Sequence, residues 1–195
     1  VRNGRFISVV WAEDSSIFVN DGIVNGAIEV AGVEGSALEF DGSSYVSVAS
    51  SEYLNPEEEL SIEFWLSPED LSKTGTQWIL YRGYSYTAGT QTWGTYIANK
   101  KLYFQTFTTS GKVNVASATL VEDQWIHVVE IYDGANMYLY INGVLVKSAT
   151  QSGNLITTTR NMLIGTNTAT LTASFVGKID ELKMYSKALT GDEIY

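Results

Sequence analysis

Strict alternation of apolar and polar residues constrains this chain more than any other feature. From Leu60 to Leu66, the residues Leu60, Ile62, Phe64 and Leu66 fall on one side, and Ser61, Glu63 and Trp65 on the other. A period of two belongs to a β-strand with one face turned to a core. Short runs of Val, Ile, Thr, Tyr, Phe and Trp recur along the chain between 17 glycines, with only 2 prolines. That punctuation marks strands joined by turns. Residues 126–132 and 137–141 are two such runs, joined by Asp133-Gly134-Ala135-Asn136, whose residue types suit a hairpin loop. Asn142-Gly143 then offers a type I′ turn into Val144–Val146, predicting a three-stranded meander. Helical periodicity is absent at useful length, and only Thr190-Gly191-Asp192-Glu193 reads as a capping box opening one short turn. In residues 1–34 the apolar runs Phe6–Trp11 and Ile17–Val19, with turns at Asn20-Asp21-Gly22 and Asn25-Gly26, read as edge strands. The expectation is an all-β, antiparallel two-sheet sandwich in a single domain spanning 1–195.

Composition narrows the function classes. A content of 45% hydrophobic and 17% charged residues belongs to a folded chain rather than a disordered one. No apolar run approaches the roughly 18 residues that a membrane-spanning helix needs, so membrane insertion is not expected. With Asp+Glu 22 against Lys+Arg 12, the net charge is -10, which repels phosphate backbones and argues against nucleic acid as a partner. The chain has no cysteine, which removes disulfides and thiolate metal sites. Val1 stands where an initiator Met would, which points to a processed chain or a piece of a longer protein.

Several segments, taken in order, resemble the laminin-G-like jelly-roll domains of the concanavalin A-like lectin/glucanase superfamily. They are Gly35-Ser36-Ala37-Leu38-Glu39-Phe40-Asp41-Gly42 with Tyr45-Val46, then Leu60 to Pro68, then Trp125-Ile126-His127-Val128-Val129 leading to Tyr132-Asp133-Gly134 and Leu139-Tyr140-Ile141-Asn142-Gly143. The last are Ile164-Gly165, Phe175-Val176-Gly177-Lys178-Ile179-Asp180-Glu181-Leu182 and Tyr185-Ser186-Lys187-Ala188-Leu189. Their order covers roughly residues 35–195 and implies a jelly roll. The resemblance further implies a structural Ca²⁺ held by Asp180, with Asp41 and Asp21 as companions; hard oxygen ligands are what that cation takes. Hydrogen bonding of Asp180 and Asp41 to turn amides is the competing reading.

The aromatic cluster Trp78, Tyr81, Tyr84, Tyr86, Trp93, Tyr96, Tyr103, Phe104 and Phe107 carries the functional expectation. The stretch Gly83 to Gly94 reads as a polar, glycine-flanked loop presenting rings, and loops on rigid scaffolds are where binding residues concentrate. Tyr81, Tyr84, Tyr86, Gln91 and Trp93 are therefore the candidate ligand-binding residues, with Trp78, Tyr103 or Phe104 assigned to core packing. Aromatic faces beside amides and hydroxyls suit a glycan, or another protein subunit. Glu130 shares a strand face with Val128 and Tyr132, and as a charged residue it is expected at an exposed sheet surface. His127 is expected to be structural. The alternating carboxylates of glycoside hydrolases on this fold are absent, as are the lyase segment, the Gly-x-Ser-x-Gly elbow and His-Glu-x-x-His. The expected function is a non-catalytic carbohydrate-binding or adhesion module of a larger extracellular or cell-surface protein. The alternative is an assembly domain of a surface layer, appendage or virion; a polysaccharide hydrolase or lyase pairing Glu130 with Glu63 comes last.

Overall fold

The computed structural model describes residues 10–83, 91–167, 171 and 173–194. In chain order the strands are β1 (Val10–Ala12), β2 (Gly22–Asn25), β3 (Ile28–Ala31), β4 (Ser36–Asp41), β5 (Tyr45–Val48), β6 (Leu60–Pro68), β7 (Thr76–Gly83) and β8 (Gln91–Ala98). They continue as β9 (Lys101–Thr108), β10 (Gly111–Thr119), β11 (Ile126–Tyr132), β12 (Asn136–Ile141), β13 (Val144–Thr150), β14 (Met162–Ile164) and β15 (Val176–Tyr185). Among the described residues they form an eight-stranded sheet, β1-β2-β5-β14-β7-β8-β9-β10, and a seven-stranded sheet, β13-β12-β11-β6-β15-β4-β3. All ladders are antiparallel, and the order crosses between distant parts of the chain, giving a jelly-roll β-sandwich. No helix among the described residues is long and apolar enough to cross a membrane.

The core lies between the sheets. Leu60, Ile62, Phe64 and Leu66 of β6 meet Ile79, Leu80, Trp93, Ile97 and Phe104 of the facing sheet. Each such side chain, fully buried, contributes roughly 1.5–3 kcal/mol. The meander β11–β12–β13 forms as its turns dictate: Asp133 Oδ1 accepts the Ala135 and Asn136 amides, while Asn142 and Gly143 both take positive φ, 51° and 75°. A second cluster covers part of the seven-stranded sheet's outer face, where Val129 and Ile131 meet Leu189 and Ile194 of the C-terminal segment. Ser61 fastens that segment, donating to the Lys187 carbonyl and accepting the Leu189 amide, and the capping box at Thr190–Glu193 closes it.

Two expectations are corrected here. Ile17–Val19 is a turn rather than a strand, because the Asp14 carboxylate accepts the Ser16 and Asn20 amides and closes the loop. Glu130 is not exposed: its exposure is 0%, and it points into the sandwich with Val128 and Tyr132. Thr95 Oγ1, from the opposite sheet, donates to its Oε2 at 2.5 Å. Burial pushes the Glu130 pKa well above the ordinary carboxylate range, so a neutral acid replaces a costly buried charge.

Arg82 ties down one end of the sandwich. Its buried guanidinium donates to the Arg160 carbonyl at 2.9 Å, the Ser50 hydroxyl at 3.1 Å and the Thr158 carbonyl at 3.3 Å. Burial draws its pKa down to about 10, so it remains charged at neutral pH. Arg82→Met is expected to cost about 2 kcal/mol in urea unfolding, because three acceptors lose their donor together. An unchanged midpoint would show that these acceptors re-pair without the guanidinium.

Candidate functional site

Strand parity sorts the aromatic residues of β7 to β9 into two sets. On β8, Trp93, Thr95 and Ile97 face inward, leaving Gly94 and Tyr96 on the outer face; on β9, Leu102, Phe104 and Thr106 face inward, leaving Tyr103, Gln105 and Phe107 outside. β7 breaks parity. A bulge between Trp78 and Leu80 sends both Ile79 and Leu80 into the core and leaves Trp78 and Tyr81 together on the outside. The outer face of the eight-stranded sheet therefore carries a row of rings. Trp78 meets Tyr81 edge-on at 4.8 Å and Tyr96 at 4.9 Å, and Tyr96 stacks on Tyr103 at 5.0 Å with planes 3° apart.

Register explains the row, since Trp78 is opposite Tyr96, and Tyr96 opposite Tyr103. Gly94 is required beside it: a Cβ there would lie 2.8 Å from the Trp78 ring. Trp78 and Tyr81 are buried, whereas Tyr96, Tyr103 and Phe107 are half-buried and remain within reach of solvent. On the neighbouring β10, exposed Asn114 donates to the Tyr96 hydroxyl at 3.4 Å, and Lys112 Nζ stands 5.2 Å over the Phe107 ring. Rings, an amide and an ammonium thus share one open face.

This row shares only Tyr81 with the expected set. Trp93 is 2% exposed, inside β8 and part of the core, so it is not a loop ring. Gln91 is buried as well, because β8 already begins there, and Tyr81 of β7 is buried against Trp78. Tyr84 and Tyr86 lie outside the described residues. Phe104 packs in the core as expected, but Tyr103 faces outward. Alternation along Tyr103, Gln105 and Phe107 is the sequence signal for this side of β9, where Tyr103 and Phe107 are half-buried and Gln105 between them is buried.

The three carboxylates expected around Ca²⁺ do not form one site. Asp180 Oδ2 accepts the Val33 amide at 2.7 Å and the Glu34 amide at 3.2 Å, while Oδ1 accepts Glu181 N at 2.8 Å. Asp41 Oδ1 accepts the Ser43 and Ser44 amides and the Ser43 hydroxyl, and the Ser43 amide leads the hydrogen bonds holding its pKa at about 2. Asp21 accepts the Asp14 amide. Each accepts at least one backbone amide, Asp180 at both oxygens and Asp41 and Asp21 at Oδ1, whereas a shared cation needs their oxygens to line one cavity. Asp41 pairs with Val176, four residues before Asp180 on β15, and no group of three acidic or histidine side chains suited to a metal occurs among the described residues.

The carboxylate pair Glu63 and Glu130 is also separated. Glu130 points into the core, while Glu63 lies on the outer face of its sheet, 3.0 Å from His127 Nε2 and accepting from the Tyr185 hydroxyl at 3.2 Å. Carboxylates on opposite faces cannot flank one glycosidic bond. His127 is buried beside Trp65, with ring centroids 5.1 Å apart, and its amide binds the Asn142 side chain.

Solved structures of the same fold include the binding domain of Paraclostridial Mosquitocidal Protein 1, with a TM-score of 0.76 and 18% identity over 93% of this chain and 48% of that one. The binding domain of botulinum neurotoxin DC, in complex with SialylT, gives 0.71 and 17%, over 93% of this chain and 47% of that one. Domain 4 of AbnA, a GH43 extracellular arabinanase from Geobacillus stearothermophilus in complex with arabinotriose, gives 0.67 and 22%, over 89% of this chain and 85% of that one. The chain spans about half the length of the two toxin binding domains. No curated protein sequence matches it. Residues 40–195 match Laminin_G_3, and with that match and the two-sheet jelly roll the chain belongs to this family of the concanavalin A-like lectin/glucanases superfamily.

Proposed function

We propose that the chain is a non-catalytic carbohydrate-binding module whose site is the outer face of β8, β9 and β10. The observation that carries this reading is the row Trp78–Tyr96–Tyr103, fixed by cross-strand register and open at Tyr96 and Tyr103. Rings held by a sheet bind without being ordered first, which removes part of the entropic cost of association. Asn114 supplies a donor and an acceptor for hydroxyls beside them. Fold neighbours solved with arabinotriose and with SialylT support a sugar ligand, and the extracellular arabinanase and the toxins support a place in a larger secreted or surface protein.

A glycan array probed with the purified chain, in calcium and in chelator, tests this. Tyr96→Ala and Tyr103→Ala are each expected to weaken the strongest hit about tenfold, equivalent to about 1.4 kcal/mol. Equal binding with and without chelator is expected, since Asp180, Asp41 and Asp21 serve as amide anchors. Unweakened binding by both tyrosine variants would move the site off this face.

One observation favours a second reading, contact with another protein. The turn at residues 16–19 holds Ile17 89% exposed and Val19 at φ 52°, with Phe18 stacked on Tyr53 at 4.2 Å. Exposed apolar side chains on a rigid turn suit a protein interface. Ile17→Asp is expected to leave glycan binding intact on the first reading and to abolish any subunit assembly on the second.

A further inference from the structure

Charge is distributed very unevenly along this chain. Residues 6–72 hold 14 of the 22 carboxylates and no Lys or Arg, whereas residues 71–121 hold Lys73, Arg82, Lys100, Lys101 and Lys112 and no Asp or Glu. The second stretch is the one that builds β7, β8, β9 and β10, so the half-sheet bearing the open rings is free of its own carboxylates. Arg82 is buried and Lys73 donates to the Ser174 carbonyl, which leaves Lys100, Lys101 and Lys112 exposed.

Parity places two of these on the ring-bearing face. Lys101 shares its side of β9 with Tyr103 and Phe107, and Lys112 is opposite Phe107 on β10. Lys101 and Phe107 are six residues apart, a distance of about 20 Å at the usual strand rise, so the two ammonium groups stand toward opposite ends of a strip with Tyr103 between them. Among the described residues no carboxylate forms a salt bridge with Lys101 or Lys112, although Lys178, Lys183 and Lys187 all have one. Partial burial lowers the Lys112 pKa below the ordinary lysine value, while its ammonium stands over the Phe107 ring.

We infer that the glycan bound here is an anionic one, whose carboxylate or sulfate groups meet Lys101 and Lys112 while its rings lie along Tyr96 and Tyr103. This rests on the reading of that face as a glycan site. The overall charge of -10 does not oppose it, because salt screens exposed charges beyond about 8–10 Å and only the local sign acts on a ligand. Exposed Lys100 and Lys147 likewise have no salt bridge among the described residues, but of these unpaired ammonium groups only Lys101 and Lys112 stand beside the rings, where they attract an anion locally.

The test uses oligogalacturonate, the same oligomer with its carboxylates reduced to alcohols, and a heparin oligosaccharide, titrated against the whole chain at low and high salt. Oligogalacturonate or heparin is expected to bind at least tenfold tighter than the reduced oligomer, with the advantage shrinking as salt rises. Whichever of the two binds tighter identifies carboxylate or sulfate as the recognised group. The double variant Lys101→Gln, Lys112→Gln is expected to lose most of that advantage with its melting temperature unchanged, while Tyr103→Ala weakens acidic and neutral oligomers alike. Equal affinity for acidic and reduced oligomers, or an undiminished preference in the lysine double variant, overturns the charge inference and leaves the glycan reading standing. Failure of both acidic probes to bind while a neutral array hit depends on Tyr103 does the same. No Tyr103-dependent binding to any sugar overturns both.

Discussion

Trp93→Ala is expected to destabilise the fold by about 4 kcal/mol, the usual cost of deleting a large buried aromatic side chain. Trp93 is 2% exposed and stands among Ile79, Leu80, Ile97 and Phe104 in the shared core. Removing the indole leaves a cavity that rigid strands on both sides cannot collapse to fill. Against a typical domain stability of about 5–15 kcal/mol, that loss brings the chain close to its unfolding threshold. The measurement is a urea midpoint. Tyr96→Ala, three residues along and on the other face, is the control: it is expected to lose glycan affinity with a much smaller change in midpoint. Equal stability of wild type and Trp93→Ala would place the indole in solvent and overturn the assignment of β8.

Glu130 offers the opposite sign. Glu130→Gln keeps the shape and the bond from Thr95 but never ionises, so it is expected to be more stable than wild type by about 2 kcal/mol at pH 8. The carboxyl is neutral in both folded and unfolded chains below the ordinary value of 4.5, so its contribution is fully present there. It is lost as pH rises through the elevated folded value, because unfolding then releases a proton that the folded state retains. The two proteins should accordingly have the same urea midpoint at pH 4 and diverge as pH rises. Glu130→Lys, which places a cation against Thr95 with no counter-charge, is expected to prevent folding. Midpoints of wild type and Glu130→Gln that run parallel from pH 4 to pH 8 would mean that the carboxyl titrates as an exposed group.

Glu130 also shows where reading residues one at a time stops. Alternation correctly placed it on the face of Val128 and Tyr132. What a single strand does not reveal is that this face is opposed by Thr95, whose hydroxyl bonds Oε2 while Oε1 stays buried without a partner, so the carboxyl is held as the neutral acid. The general rule that carboxylates stay exposed then pointed the wrong way. Asp180 is a similar case: its partners, the amides of Val33 and Glu34, lie 147 and 146 residues away along the chain. An Asp within a strand-like run carries no mark of whether it will receive amides or a cation.

The ring row was half legible. Tyr103 and Phe107 stand at alternate positions on β9, and that spacing can be read directly. Trp78 and Tyr81, three apart, belong to one face only because a bulge inserts Ile79 into the core side of β7. Trp93 looked like part of a loop because glycines bracket its segment, yet pairing with Arg82 and Thr106 makes it strand.

Local alternation, turn chemistry and capping by themselves determined the strands at 60–66, 126–132, 137–141 and the start of the one at 144, the turns at Asp133–Asn136 and Asn142-Gly143, and the closing turn at Thr190–Glu193. Those features depend on neighbours within a few residues, so the order of residues contains them. Which rings face solvent, which acid stays protonated and which carboxylates are anchors were decided by strands from distant parts of the chain meeting in register. That information resides in the sheet pairings and in the packing of one sheet on the other, and no segment carries it alone.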